Sequence, residues 1–255
     1  MTSVLCVSAF RDIRRGEWAG RHAQWKRTNE NYIEWFLNLA QAPIDLVVFC
    51  DDPTVRARAP PHVRVLPYDE ADTMFRYLAR EREVMADPGF QSLVAHRVAH
   101  PEHSIPEYNL VQHSKTSFVR RASQLFPGYT HYAWVDFGYV REPGLIPREV
   151  VWDRIATDRI TYAAFVAPTP DQIPDPARMC VEATSFLQGS MFILPAHLAS
   201  WYEKAYEEIL CAYQAACLAD DDQALALQVY KRHPERFRFL VIPEWFAIFR
   251  TWCRP

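Results

Sequence analysis

The sequence is poor in glycine and carries no motif built from it. Only seven of the 255 residues are glycine. A Walker loop, a Gly-x-Gly-x-x-Gly dinucleotide fingerprint and a Gly-x-Ser-x-Gly nucleophile elbow are all missing. These absences argue against P-loop nucleotide hydrolases, dehydrogenases with that fingerprint and serine hydrolases with that elbow.

Other absences narrow the class of protein further. The six cysteines form no Cys-x-x-Cys pair, which argues against a zinc site or a disulfide framework. No stretch approaches the ~20 apolar residues that cross a bilayer, and the N-terminus lacks the pattern of a signal peptide. The net charge of −3 argues against a broad nucleic-acid footprint. We therefore expect a cytoplasmic protein with no transmembrane segment and no nucleic-acid partner.

Apolar residues, in contrast, are abundant and occur in regular patterns along the sequence. Hydrophobic residues make up 49% of the chain and aromatic residues 14%, enough for a large core. No linker or repeat interrupts the sequence, so residues 1–255 are interpreted as one domain. Short apolar runs predict strands. They are Val4 to Phe10, Leu46 to Cys50, Val63 to Leu66, His131 to Val135, Ile160 to Val166, Phe186 to Leu194 and Phe237 to Ile242.

Helical patterns separate these strands. They predict helices over Thr28 to Ala40, Asp69 to Ala86, Tyr108 to Phe126 and His197 to Cys217, and one opened by Asp220 to Gln223. Strands alternating with helices indicate an α/β fold with a mixed, mostly parallel sheet flanked by helices. Cys6 and Cys50 fall in buried strands and are expected to be reduced core thiols.

Asp136 ends the most informative segment, in which a buried strand runs into Asp136-Phe137-Gly138. Ligands of open α/β sheets bind outside the carboxyl ends of strands. A carboxylate there can hold a divalent metal and, through it, a diphosphate. The alternative is an aspartate that caps a turn. A protein kinase is excluded because its Gly-rich loop and His-Arg-Asp loop are missing.

Three further groups carry candidate chemistry. The loop after the first strand holds Arg11, Asp12, Arg14 and Arg15, whose guanidiniums suit phosphate oxygens unless they form surface pairs. Asn109, Gln112 and Lys115 share a helix face, on which the lysine could reach a phosphate or meet solvent. The run Asp220-Asp221-Asp222-Gln223 suits a general base, or merely a helix cap.

The histidines at positions 96, 100 and 103 have a spacing that imitates a zinc face. No Glu stands between the first pair as in His-Glu-x-x-His, and Pro101 interrupts the helix. We therefore expect no zinc there.

Several segments, in order, resemble the HtrL/YibB-type family of bacterial proteins found among polysaccharide-synthesis genes. They are Ser8 to Trp18, Tyr108 to Lys115, Trp134 to Gly138, Gly189 to Phe192 and Asp222-Gln223. The family looks like a branch of the GT-A-type glycosyltransferases. The resemblance implies a GT-A-like (Rossmann-like) sheet, a nucleotide-sugar donor, with a UDP-sugar favoured, and a small-molecule or glycan acceptor.

The same resemblance assigns roles to residues. Asp220, Asp221 or Asp222 would be the catalytic base, and Asp136 would hold Mg²⁺ or Mn²⁺ if a metal is used. The donor-binding residues would be Phe10, Arg11, Asp12, Arg14, Asn109, Lys115, Asp136, Gly138, Gly189 and Gln223. Two departures bear on the metal: Asp-x-Asp is reduced to one Asp, and the final segment 236–255 has no His. The rival functions are a sugar-phosphate nucleotidyltransferase and a non-catalytic nucleotide-sugar-binding protein.

Overall fold

A central sheet organises the protein. The computed structural model describes residues 2–152, 155–182, 186–242 and 244–249. Its seven strands are β1 (Val4–Phe10), β2 (Asp45–Cys50), β3 (Arg64–Leu66), β4 (His131–Val135), β5 (Ile160–Ala164), β6 (Leu187–Pro195) and β7 (Phe237–Val241). Each lies within two residues of a predicted strand. Position 243 and residues 250–255 of the C-terminal segment lie outside the described residues.

The strand order is β3-β2-β1-β4-β6-β5-β7. β6 runs antiparallel to both of its neighbours, and the other pairings are parallel. The mixed, mostly parallel sheet and its flanking helices confirm the predicted Rossmann-like fold class. Because the chain leaves β1 towards β2 and returns to β4 on the other side, the sheet has a topological switch point between β1 and β4.

Side chains of β1 alternate between two cores, one on each face of the sheet. Leu5 and Val7 enter the larger core, while Val4 and Cys6 enter the smaller one. This alternation is the period of two of an extended strand that is buried on both faces. Cys6 and Cys50 are free buried thiols, as predicted.

Helices cover both faces. The described helices are α1 (Asn29–Leu39), α2 (Pro53–Arg58), α3 (Leu78–Ala86), α4 (Pro88–Leu93), α5 (Pro106–His113), α6 (Lys115–Leu125), α7 (Pro176–Val181), α8 (Ala199–Ala215) and α9 (Asp222–Arg232). α1 packs its buried residues into the smaller core, whereas α6, α8 and α9 pack into the larger one. None of the helices in the described part of the chain combines the length and apolarity needed to cross a bilayer.

The helix predicted over Asp69 to Ala86 is wrong in its first half. That half consists of two 3₁₀ turns, and the α-helix begins only at Leu78. The side chain of Asp69 accepts the backbone N–H of Ala71, and that of Thr73 accepts the N–H of Phe75. Short polar side chains that take local backbone donors compete with a continuous helix.

The helix predicted over Tyr108 to Phe126 is two helices that join at Ser114. The Ser114 hydroxyl donates to the carbonyl oxygen of Leu110 at 2.6 Å and accepts the backbone N–H of Met74 at 3.2 Å. This buried hydroxyl therefore ties the junction of α5 and α6 to the turn before α3. Lys115, the first residue of α6, is buried.

Candidate functional site

A cleft of about 230 Å³ lies at the switch point, outside the carboxyl ends of β1 and β4. We call it the cleft. It is lined by Ala9, Phe10, Arg11, Asp12, Ile13, Arg15, Asn29, Tyr32, Tyr108, Val111, Gln112, Lys115, Trp134, Asp136, Phe137, Gly138, Tyr139, Arg141, Ser190, Trp245 and Phe246. Its position is the one that open α/β sheets use for ligands. Its lining has four basic and two acidic side chains, a balance that favours an anionic ligand.

An ion triad of Lys115, Asp136 and Asp222 lies at the rear of the cleft, and of its members Lys115 and Asp136 line the cleft. The Lys115 ammonium lies 2.8 Å from Oδ2 of Asp222 and 3.1 Å from Oδ1 of Asp136, and it also donates to the carbonyl oxygen of Gly189 at 2.8 Å. An ammonium has three N–H donors, and these three acceptors use all of them. Lys115 is 4% exposed, so it holds the two carboxylates together inside the protein instead of reaching freely for a phosphate.

Opposing effects set the protonation of the ion triad. Burial lowers the pKa of Lys115, but Asp136 and Asp222 outweigh it, so the pKa of the ammonium lies above its usual value. Burial is also the main reason why the pKa of Asp222 rises to about 7. The Lys115 charge opposes that rise, whereas Asp221 and Asp136 add to it. A charged Lys115 is therefore a fixed feature of the site at neutral pH.

Asp136 is the carboxylate that the ion triad presents to the cleft. Its Oδ1 accepts hydrogen bonds from the Trp134 indole at 2.8 Å and from Lys115. Its Oδ2 has no hydrogen-bond partner among the residues that the structure describes, and 35% of the side chain is exposed. Asp136 thus has one oxygen fixed by the protein and one oxygen available to a ligand.

Two glycines let neighbouring side chains approach this edge. A Cβ added to Gly189 would lie 2.9 Å from Oδ2 of Asp222, so only glycine leaves room for that carboxylate at Lys115. A Cβ added to Gly138 would lie 2.8 Å from the Trp35 ring on α1. Both predicted glycines therefore have packing reasons to be glycine, and Gly138 also lines the cleft.

In the loop after β1, side-chain contacts hold the two predicted residues Arg11 and Asp12 in place. Arg11 forms an ion pair with Glu70 and packs over the Phe75 ring at 4.5 Å. Asp12 accepts the Arg14 backbone N–H at 2.7 Å. Both line the cleft, and so does the predicted Phe10, whose ring stacks on Phe137 at 4.8 Å.

Arg14 was predicted to contact the donor, but its side chain is exposed and lies outside the cleft lining. Its backbone has φ 55°, in the left-handed region, where it starts the 3₁₀ turn Arg15–Glu17. This turn presents Arg15 to the cleft in its place. Sequence alone could not choose between the two adjacent arginines, since the choice depends on one backbone angle.

None of the three predicted catalytic aspartates lines the cleft. Asp221 caps α9 by accepting the N–H groups of Gln223 and Ala224. Asp220 is buried and accepts the Asp221 N–H at 2.9 Å. Asp222 reaches the cleft only through Lys115. The expectation that Asp221 or Asp222 points directly into the cleft is therefore corrected, because capping and ion pairing use their oxygens.

Three further predicted donor-binding residues, Asn109, Gln223 and Gly189, also lie outside the lining. Asn109 is buried, and its amide donates to Oε1 of Glu81 at 3.0 Å and to the Glu102 carbonyl at 2.9 Å. Gln223 donates to Oδ2 of Asp221 at 3.1 Å. The helix-face prediction failed for Asn109 because its amide is used by the Glu81 carboxylate and the Glu102 carbonyl. Gln112, on the same predicted face, does line the cleft.

The cleft also contains three residues that were not predicted from the sequence: Arg141, Trp245 and Phe246. Arg141 lies three residues beyond Gly138, over the rings of Trp35 at 4.8 Å and Phe246 at 4.9 Å. Its place in the loop after β4 is a signal that could have been used. Trp245 and Phe246 follow the last strand, and no sequence pattern connects them to a cleft formed by β1 and β4.

The three spaced histidines lie in different environments. His96 contacts the Val181 carbonyl at 3.1 Å, and His100 lies 3.3 Å from Glu102. His103 is fully buried, which is the main reason why its pKa falls to about 3. Within the described ranges, no three His, Cys, Asp or Glu side chains are arranged to hold a metal ion.

Comparison with known proteins identifies the family. The family model described as "Bacterial protein of unknown function (HtrL_YibB)" matches residues 2–254. The chain belongs to the HtrL_YibB family. It is 25% identical over 272 residues to Protein HtrL of Escherichia coli strain K12, an alignment that covers 98% of this chain and 92% of HtrL. The family resemblance found in the sequence is thereby confirmed.

Proposed function

We propose that this HtrL_YibB protein is a glycosyltransferase that moves a sugar from a nucleotide-sugar donor to a hydroxyl acceptor. The observation that carries the proposal is Asp136, which lines a basic cleft at the switch point of a Rossmann-like sheet and whose Oδ2 has no hydrogen-bond partner in the described part of the chain. The basic side chains suit the donor diphosphate, which is the leaving group. A UDP-sugar donor and a cytoplasmic location stay predictions of the sequence.

Aromatic side chains supply the other part of a donor site. Tyr32, Tyr108, Trp134 and Trp245 line the same cleft as the arginines. Aromatic faces stack on nucleobases, and this interaction tolerates any base. Basic and aromatic residues in one cleft therefore match a ligand that carries both a base and phosphates.

Asp136 is the proposed proton acceptor. In one displacement, the acceptor oxygen bonds to the anomeric carbon as the bond from that carbon to the diphosphate breaks. The electron pair of the broken bond leaves with the diphosphate, and the hydroxyl proton passes to Oδ2 of Asp136. Lys115 and Trp134 hold Oδ1 in place, so the base is fixed before the substrate binds. Asp222 is a positioning residue that acts through Lys115.

A panel of nucleotide sugars with UDP, GDP, CDP, ADP and TDP leaving groups tests the proposal. We expect calorimetric binding of at least one nucleoside diphosphate, and release of that diphosphate from its sugar donor. The Asp136→Asn variant should lose ~10²–10⁴ in rate while its melting temperature stays close to wild type. Asp158→Asn, at an exposed aspartate outside the cleft, is the control. No binding at millimolar concentration by any of the five would refute the proposal.

A further inference from the structure

The ammonium of Lys115 occupies the position that a metal ion would need. A divalent cation bound to this edge would have to share carboxylates, since it takes about six oxygen ligands. Asp136 and Asp222 are the two carboxylates that approach each other here, and the Lys115 nitrogen lies within 3.1 Å of both. A buried ammonium repels a second cation at this distance. The residues present therefore do not fit the Mg²⁺ or Mn²⁺ that the sequence suggested for Asp136.

Positive charge is instead supplied by three arginines, which we call the arginine trio: Arg15, Arg27 and Arg141. Arg15 and Arg141 line the cleft, and Arg27 lies outside the lining but close enough to Arg141 for its charge to act on it. Arg15 donates to the Trp25 carbonyl and the Tyr32 hydroxyl. Arg27 donates to the carbonyl oxygens of Gln24 and Lys26. Arg141 lies over two aromatic rings. Neutral groups thus hold all three guanidiniums.

No carboxylate in the described part of the chain pairs with the arginine trio. Of the other eighteen arginines in that part of the chain, eleven form an ion pair with Asp or Glu, and the seven that do not lie outside the cleft lining. The three guanidiniums of the arginine trio also lie near one another. Tyr32 is close enough to all three for their charges to oppose the burial that raises its pKa, and after burial the charges of Arg27 and Arg15 lower the pKa of Arg141. Three like charges held together by neutral groups form a site for an anion.

We infer that the arginine trio binds the donor diphosphate and neutralises it as it leaves, so that this enzyme needs no divalent metal. The inference rests on the proposed function and names the residues that replace a metal in it. Guanidinium forks match pairs of phosphate oxygens, and they carry their charge at every physiological pH. The trio therefore stabilises the negative charge that develops on the diphosphate when the bond to the sugar breaks.

Inorganic pyrophosphate is the direct probe, because it tests the diphosphate site without the nucleobase. Calorimetry on the full chain is run in EDTA and again with excess Mn²⁺, with pyrophosphate and with the five nucleoside diphosphates. We expect pyrophosphate and the preferred nucleoside diphosphate to bind in EDTA, with affinities within about threefold of those in Mn²⁺. Arg15→Gln, Arg27→Gln and Arg141→Gln should each weaken binding by about tenfold or more. Arg58→Gln, at an arginine paired with Glu30, is the matched control and should change nothing.

A second measurement asks whether Lys115 excludes the metal. Mn²⁺ should not raise the melting temperature of the wild-type protein, whereas it should raise that of Lys115→Ala, in which Asp136 and Asp222 lose their ammonium. If Lys115→Ala does not fold, the comparison of EDTA with Mn²⁺ on the wild-type protein decides. Nucleotide binding that requires Mn²⁺ would overturn the inference and leave the proposed glycosyltransferase intact. Absence of binding under both conditions would overturn both.

Discussion

The ion triad and the arginine trio are two charged clusters that both contribute residues to one cleft, and their charges are compensated in different ways. In the ion triad, a buried ammonium meets two carboxylates and a carbonyl, so its charge is satisfied within the protein. In the arginine trio, guanidiniums converge with no carboxylate partner among the described residues. The difference separates a cluster whose charges are compensated within the protein from a cluster that we propose binds an anion.

Removal of Lys115 should have the largest effect. Lys115→Ala leaves two carboxylates close together without their counter-ion, and the loss of one member of a buried pair costs about 3–5 kcal/mol. Chemical denaturation should show that loss. Lys204→Ala, at an exposed lysine of α8, is the control and should stay within about 0.5 kcal/mol of wild type. A small loss in Lys115→Ala would mean that the ion triad is not structural.

Gly189→Ala tests the packing of the ion triad. The new Cβ would lie 2.9 Å from both Oδ2 of Asp222 and Cγ of Gln223, so one of them must move. Overpacking of this kind costs about 1–3 kcal/mol. Gly128→Ala introduces a Cβ with nothing within 4 Å and serves as the control in the same denaturation experiment. Equal stability of the two variants would contradict the close approach of Asp222 to β6.

The stability of the protein should depend on the protonation of Asp222. Its pKa is about 7 when folded, against 3.8 when unfolded, so the folded state binds the proton more tightly. This contribution to stability is fully present below pH 3.8 and is lost as the pH rises to about 7. One such proton changes the unfolding free energy by at most about 1.4 kcal/mol per pH unit.

The measurement is a series of denaturation curves between pH 4 and pH 8. The unfolding free energy of Asp222→Asn should fall less steeply with rising pH than that of wild type. The unfolding free energy of Asp158→Asn, at an exposed aspartate, should follow wild type. An unchanged slope in Asp222→Asn would show that the Lys115 charge fully offsets the burial of Asp222.

Replacement of a trio member should have the smallest effect on stability. Arg141→Gln removes one of three like charges and leaves no carboxylate unpaired among the described residues, so we expect a change within about 0.5 kcal/mol. The unfolding free energy in the absence of any anion checks this. A loss of several kcal/mol of unfolding free energy would mean that Arg141 has a structural role like the charges of the ion triad. The contrast between the two clusters would then be wrong.

Local sequence patterns were sufficient to predict the strands of the sheet. Apolar runs such as Val4 to Phe10 are buried on both faces, and no alternative local structure hides that many side chains. Helices were predicted less well, since the breaks at Thr73 and Ser114 depend on single hydroxyl groups. Besides its local bond to Leu110, the hydroxyl of Ser114 accepts the backbone N–H of Met74, forty residues away in the chain.

Part of the candidate site could likewise be predicted from the sequence, and part of it could not. A carboxylate at the end of a buried strand and a basic loop after another strand were visible in the sequence, and Asp136, Arg11 and Asp12 do line one cleft. The contacts of Lys115 were not visible, since two of its three partners come from β6 and α9. Arg15 was favoured over Arg14 by one left-handed backbone angle.

By itself, the sequence determined the fold class, the strands and the edge of the sheet at which charged residues gather, because burial and strand periodicity are local properties of the chain. Only the tertiary structure decided which charges are neutralised and which stay open. That outcome depends on distances of about 3 Å between residues far apart in sequence, such as Lys115 and Asp222, and no local pattern contains those distances.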